Sequence, residues 1–156
     1  MGRKSYGASV GLVKDKGIYL SRRIDTLLFS KKWQLINGLM QAGENGRTTA
    51  VRIINEQTGL VIPDSRLYYM SSYDVEAANE LYFIYLVCLQ DNEVPENKES
   101  AYRSDWKFFK MEAAIVLDLI PGLRRFLFKL NRALLRVETE QRINQKKQQY
   151  DYEDVI

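Results

Sequence analysis

The residues best equipped for chemistry lie between Gly38 and Leu60: Glu44, Arg52 and Glu56, with Gln57 next in the chain and glycines at 38 and 59. Carboxylates and amide oxygens are the donors a hard divalent cation prefers, with a neutral amide the weaker of the two. Arg52 and Glu56 at i,i+4 could equally be a surface pair, in the less favourable order along a helix. The element that must position them is a helix over Gly46–Thr58. Asn45 is a good N-cap, and Gly59 suits the left-handed residue that ends a helix. Ala50 and Ile54 stand one turn apart, on a face that would pack on a sheet. At roughly 100° per residue, Arg52 and Glu56 point away from that face, and Ile53 and Gln57 sit at its edge.

The rest of the chain offers no competing chemistry. It contains no Walker-type loop, no cluster of cysteines, no Gly-x-Ser-x-Gly elbow and no internal repeat. Histidine is absent, which excludes His-based triads, His zinc sites and a histidine general base.

The stretch resembles a Nudix box, Gly-x5-Glu-x7-Arg-Glu-apolar-x-Glu-Glu-x-Gly-apolar. Gly38, Glu44, Arg52, Ile54, Glu56, Gly59 and Leu60 fall on the pattern, whereas Ile53 and Gln57 stand where it places glutamates. Upstream, Ile18-Tyr-Leu-Ser-Arg-Arg23 is similar to the family's x-Leu-Leu-x-x-Arg. Trp33-Gln-Leu-Ile-Asn-Gly38 is similar to its Trp-x-x-Pro-Gly-Gly, with Asn37 for the proline and Leu39 for the second glycine. The resemblance implies an α/β (α+β) Nudix fold, a mixed β-sheet sandwiched between α-helices.

It also implies a hydrolase that cleaves the diphosphate bond of a nucleoside diphosphate linked to another moiety, using water with Mg or Mn. On that basis Glu56, Glu44 and Arg52 are the catalytic residues, and Gly38, Glu56 and Gln57 the metal positions. The loss of two acids implies impaired activity. The alternative is a catalytically inactive Nudix-fold module that binds a nucleotide or a protein. The general base would come from Asp74, Glu76, Glu80, Glu96 or Glu99.

Length and composition fit one globular domain: 156 residues, with 46% hydrophobic and 12% aromatic. The net charge of +3 is mild and does not argue for wrapping nucleic acid. One cysteine, Cys88, allows no internal disulfide and suits a reducing compartment. With no signal peptide and no apolar run long enough to span a bilayer, the expected location is cytoplasmic, with no membrane partner.

Two strands, Tyr6–Lys14 and Gly17–Arg22, should flank a tight turn, and another should cover Arg66–Tyr73. Glu80–Leu89 reads as a central buried strand, and Gln90–Arg103 as a polar surface loop. A tryptophan-bearing strand near Asp105 should run into a short helix. The last helix begins near Leu123, with an apolar stripe at Leu127, Leu130, Leu134 and Val137 and many cations. The expected division is a Nudix-like domain over 1–137 and a polar helical extension over 138–156. That extension either projects into solvent or contacts a protein partner or a second copy.

Overall fold

The computed structural model describes residues 2–24 and 29–136. The chain opens with a hairpin of Ser5–Lys14 (β1) and Gly17–Arg22 (β2), paired antiparallel with Val13 opposite Ile18. Asp15 and Lys16 have φ of 46° and 61°, the two left-handed residues that a two-residue hairpin turn demands. Two short strands follow, Trp33–Gln34 (β3) and Ile36–Leu39 (β4), then the helix Gly46–Thr58 (α1), with the bounds expected from its capping residues. Asn45 accepts from the Thr48 N–H and Thr48 Oγ1 accepts from the Asn45 N–H, a reciprocal capping box. Gly59 closes the helix in the left-handed conformation with φ 79°.

Tyr68–Val75 (β5) starts and ends later than Arg66–Tyr73, because Asp64–Arg66 is taken up by a 3-10 turn. Glu80–Cys88 (β6) is the expected inner strand, lying parallel to β1 and antiparallel to β5. Lys107–Lys110 (β7) runs directly into a helical turn, Met111–Ala114 (α2). Residues 123–136 form the last helix, α3. Residues 137–156, and with them Val137 and the expected extension, lie outside the described part of the chain.

The seven strands make one mixed sheet in the order β3-β2-β1-β6-β5, with β4 also on β1 and β7 on β2. Alternation along β1 and β6 builds two cores. Ala8, Val10, Leu12, Tyr85 and Val87 meet Ala50, Ile53 and Ile54 of α1 on one face. Ile84 and Leu86 meet Leu123, Phe126, Leu127 and Leu130 of α3 on the other. The sheet is therefore sandwiched between helices. Among the described residues no helix is long and apolar enough to cross a membrane. Cys88 is exposed at the end of β6.

One departure from the expected helix face positions the site. Ile53 is not at the edge of the apolar stripe: it is 1% exposed and packs directly beneath Gly38. A Cβ on residue 38 would stand 2.5 Å from Ile53 Cγ2. Gly38→Ala is therefore expected to destabilise the fold by about 1–3 kcal/mol, the usual cost of overpacking. Ile53→Ala in the Gly38→Ala background should restore part of that loss, a non-additivity that urea unfolding of both single variants and the double variant would expose. Additive losses would show that the two residues do not confront each other.

Candidate functional site

The loop before α1 is held by a single arginine. Glu44 Oε2 accepts from Arg52 Nε at 2.8 Å, and Glu44 Oε1 accepts from Arg52 Nη2 at 2.9 Å. The same carboxylate accepts from the Gln41 N–H and from Thr49 Oγ1. Arg52 also donates to Glu56 Oε2 at 3.1 Å and to the Leu39 carbonyl at 2.9 Å. Glu44, Arg52 and Glu56 are thus brought together, as their spacing requires, but largely by bonding one another. Hydrogen bonds from Arg52, reinforced by the Gln41 N–H, hold the Glu44 carboxyl down at about 2.

Gln57 is turned the other way, towards the sheet. Its side chain is buried, and its Nε2 donates to the Asn37 carbonyl at 2.7 Å. Its Oε1 is buried and has no partner. The Gln57 backbone carbonyl accepts from Trp106 Nε1 and from the Lys98 N–H, which closes the end of α1 under the 90–106 segment. Two of the three successive carbonyls of β4 accept from the helix side chains. Asn37 O meets Gln57, Leu39 O meets Arg52, and Gly38 O lies against Gly7. Among the described residues no group of three or more His, Cys, Asp or Glu is placed to hold a metal ion.

Beside Gln57 opens a cavity of about 430 Å³, which Gly38 and Gln57 line but Glu44, Arg52 and Glu56 do not. Its floor is a chain of amides and hydroxyls with Arg23 at one end. Arg23 Nη1 donates to Gln34 Oε1 at 3.0 Å, Asn37 Nδ2 donates to the same oxygen, and Asn37 Oδ1 bonds the Ser9 and Tyr73 hydroxyls. Burial pushes the Tyr73 phenol up to about 12, so it remains a neutral hydroxyl. Burial and the adjacent Glu80 carboxylate push the Tyr82 phenol up as well.

Arg103 stands on the far wall, 6% exposed, stacked over Trp106 and donating to Glu99 Oε1 at 3.2 Å, while its Nε has no partner. Burial lowers the pKa of its guanidinium, partly offset by Glu99. A guanidinium nevertheless keeps its charge in a protein.

Of the acids named as general-base candidates, Glu80 and Glu99 line this cavity. Asp74 is paired with Lys4 and Glu96 with Lys98. Glu76 lies in a 3-10 turn beyond β5. Arg103 is the residue that sequence reasoning missed, since Gln90–Arg103 reads as a polar surface loop. Its signal was the run Glu99-x3-Arg103-x2-Trp106, an acid one helical turn away and an aromatic face beside it.

This sheet between α1 and α3, with a capped helix carrying the box beside a polar cleft, defines the Nudix architecture. The NUDIX domain profile matches residues 4–130, and the chain belongs to that family. No curated protein is similar enough in sequence to match. Solved structures share the fold at low identity. The NUDIX domain of NrtR from Shewanella oneidensis, complexed with ADP ribose, has a TM-score of 0.71 at 14% identity, covering 86% of this chain and 90% of that one. A MutT NUDIX hydrolase from Burkholderia pseudomallei has a TM-score of 0.68 at 21% identity over 82% and 98%. An Ap4A hydrolase from C. elegans has a TM-score of 0.68 at 17% identity over 84% and 98%.

The Glu44–Arg52 bond carries a pH prediction. The folded pKa of Glu44 lies below its ordinary 4.5, so its stabilising contribution is whole above that value. It is lost as pH falls towards about 2. Wild type should therefore be more stable than Glu44→Gln at pH 6, with the gap closing between pH 4.5 and 2 in urea titrations. A gap that does not change with pH would mean that the carboxylate charge is irrelevant to the clamp.

Proposed function

We propose that the protein binds a nucleoside diphosphate linked to another moiety in the cavity beside Gln57, and hydrolyses it slowly or not at all. The observation that carries this reading is the pair of residues at the two departures from the box. Ile53 is sealed under Gly38, and Gln57 places a buried neutral amide where the family's pattern has an acid. Gly38, Glu56 and Gln57, the positions that the resemblance assigns to Mg or Mn, make a poor shell for a hard dication. Glu56 is the one carboxylate among them, it is bonded to Arg52, and it does not face the cavity. The residues present do not fit the metal.

What the chain's own residues can do is bind. Arg103 and Arg23 bring guanidinium donors suited to a diphosphate to a wall that also carries Glu80 and Glu99. The phenols of Tyr73, Tyr82 and Tyr102 supply amphipathic walls. The ADP ribose bound by the similar NrtR domain is a ligand of this class. Residual hydrolysis would draw its base from Glu80 or Glu99, and a misplaced base costs about 10²–10⁴-fold in rate.

ADP ribose titrated into the wild type by calorimetry is expected to bind with the same Kd in Mg²⁺ and in EDTA, and turnover should be slow in both. Gln57→Glu should acquire a Mg²⁺-dependent rise in Tm that the wild type lacks. Rapid Mg²⁺-dependent turnover by the wild type would overturn the reading. Failure of every nucleoside diphosphate compound to bind would do the same.

A further inference from the structure

Many cations among the described residues are held by an acceptor. Lys4, Lys14, Lys32, Arg52, Arg66, Lys98 and Arg103 each lie against a carboxylate, and Arg124 donates to the carbonyls of Ile115 and Leu117. Arg125, Lys129 and Arg132 are different. They recur at i, i+4 and i+7 on one face of α3, and among the described residues none has a hydrogen-bonding or ionic partner. All three line one cavity of about 320 Å³ between α3 and β5.

The remaining walls of that cavity complete a donor set without an acid. Ile84 and Phe126 form an apolar floor, and Ser71 and Ser72 place hydroxyls on the β5 side. Ser71 Oγ makes only a long 3.4 Å bond to its neighbour's carbonyl, so it is available to a ligand. Among the described residues no carboxylate lines this cavity, whereas Glu80 and Glu99 line the one beside Gln57. Three like charges around one space repel each other until an anion sits among them. The volume lies within the range of small-molecule sites, and an apolar floor beneath a cationic rim suits a molecule with one end of each kind.

The geometry points to a second ligand site here, separate from the box cleft, for a small phosphate ester with an aromatic or aliphatic group. The phosphate oxygens accept from Arg125, Lys129, Arg132 and a serine hydroxyl, and the apolar group lies on Phe126 and Ile84. This inference does not rest on the nucleotide-binding reading, since none of the three cations lines the box cleft.

The test uses the full chain with phenyl phosphate, inorganic phosphate and phenol as calorimetric probes. Phenyl phosphate is expected to bind more tightly than either of the others, and binding should weaken as salt rises from 50 to 500 mM. Replacing Arg125, Lys129 and Arg132 together by Gln should weaken it by about tenfold or more, while Kd for ADP ribose stays unchanged. These side chains are exposed, so the variant is expected to fold, and an unchanged Tm checks that. Equal phenyl phosphate binding by wild type and triple variant overturns the proposal. So does co-sedimentation with phosphatidylserine vesicles in the absence of phenyl phosphate binding, which would make the cations a lipid-facing patch. Loss of ADP ribose binding alone would strike the box-cleft reading and leave this one intact.

Discussion

The close approach of α1 to β4 at Gly38 is the constraint on which the rest of the site depends. With no Cβ at residue 38, Ile53 can drop onto the strand, and α1 descends with it. That descent puts Gln57 within reach of the Asn37 carbonyl and Arg52 within reach of the Leu39 carbonyl. A carboxylate at residue 53 would have to leave water to occupy the same space, at a cost of several kcal/mol unless neutralised. Apolar packing and metal ligation are thus competing uses of one position, and here packing holds it.

The same choice sets the electrostatics of the cleft. Its floor is made of amides and hydroxyls that bond one another, with the Arg23 guanidinium joined to them at Gln34. Buried polar groups of this kind stabilise when fully satisfied and penalise when one is left over. Two are left over, Gln57 Oε1 and Arg103 Nε, one acceptor and one donor on the cavity's boundary. The cleft has no histidine, and burial raises the phenols of Tyr73 and Tyr82, so these two hydroxyls stay neutral through neutral pH.

Much of this was legible in the sequence because the signals were local. Asn45 and Gly59 mark the ends of α1 by backbone chemistry that needs no tertiary contact, and both hold. The apolar run of β6 likewise declares its burial. Ile53 lies deeper than the edge of the stripe; helix periodicity gives a direction and not a depth. How far α1 sinks is decided by Gly38 on another element. Arg103 escaped for a related reason: a charged residue in a polar run reads as solvated until Trp106 and Glu99 fold over it. The cation cluster of α3 was visible as composition, but its cavity exists only once β5 is laid alongside.

The pairing of β1 with β6 has a consequence for how the molecule assembles. These strands form the middle of the sheet, in continuous parallel register from Ser5 opposite Glu80 to Val13 opposite Cys88. Everything from β2 to β5, α1 included, lies between them in the chain. The β1–β2 hairpin can close early, as its loop is short, but the central seam must bear the entropy of a long loop. During synthesis the first strand therefore waits with one edge unpaired until β6 has left the ribosome. In that interval the hairpin's apolar faces, Val10 and Leu12 on one side and Val13 on the other, are the surface a chaperone would have to shield.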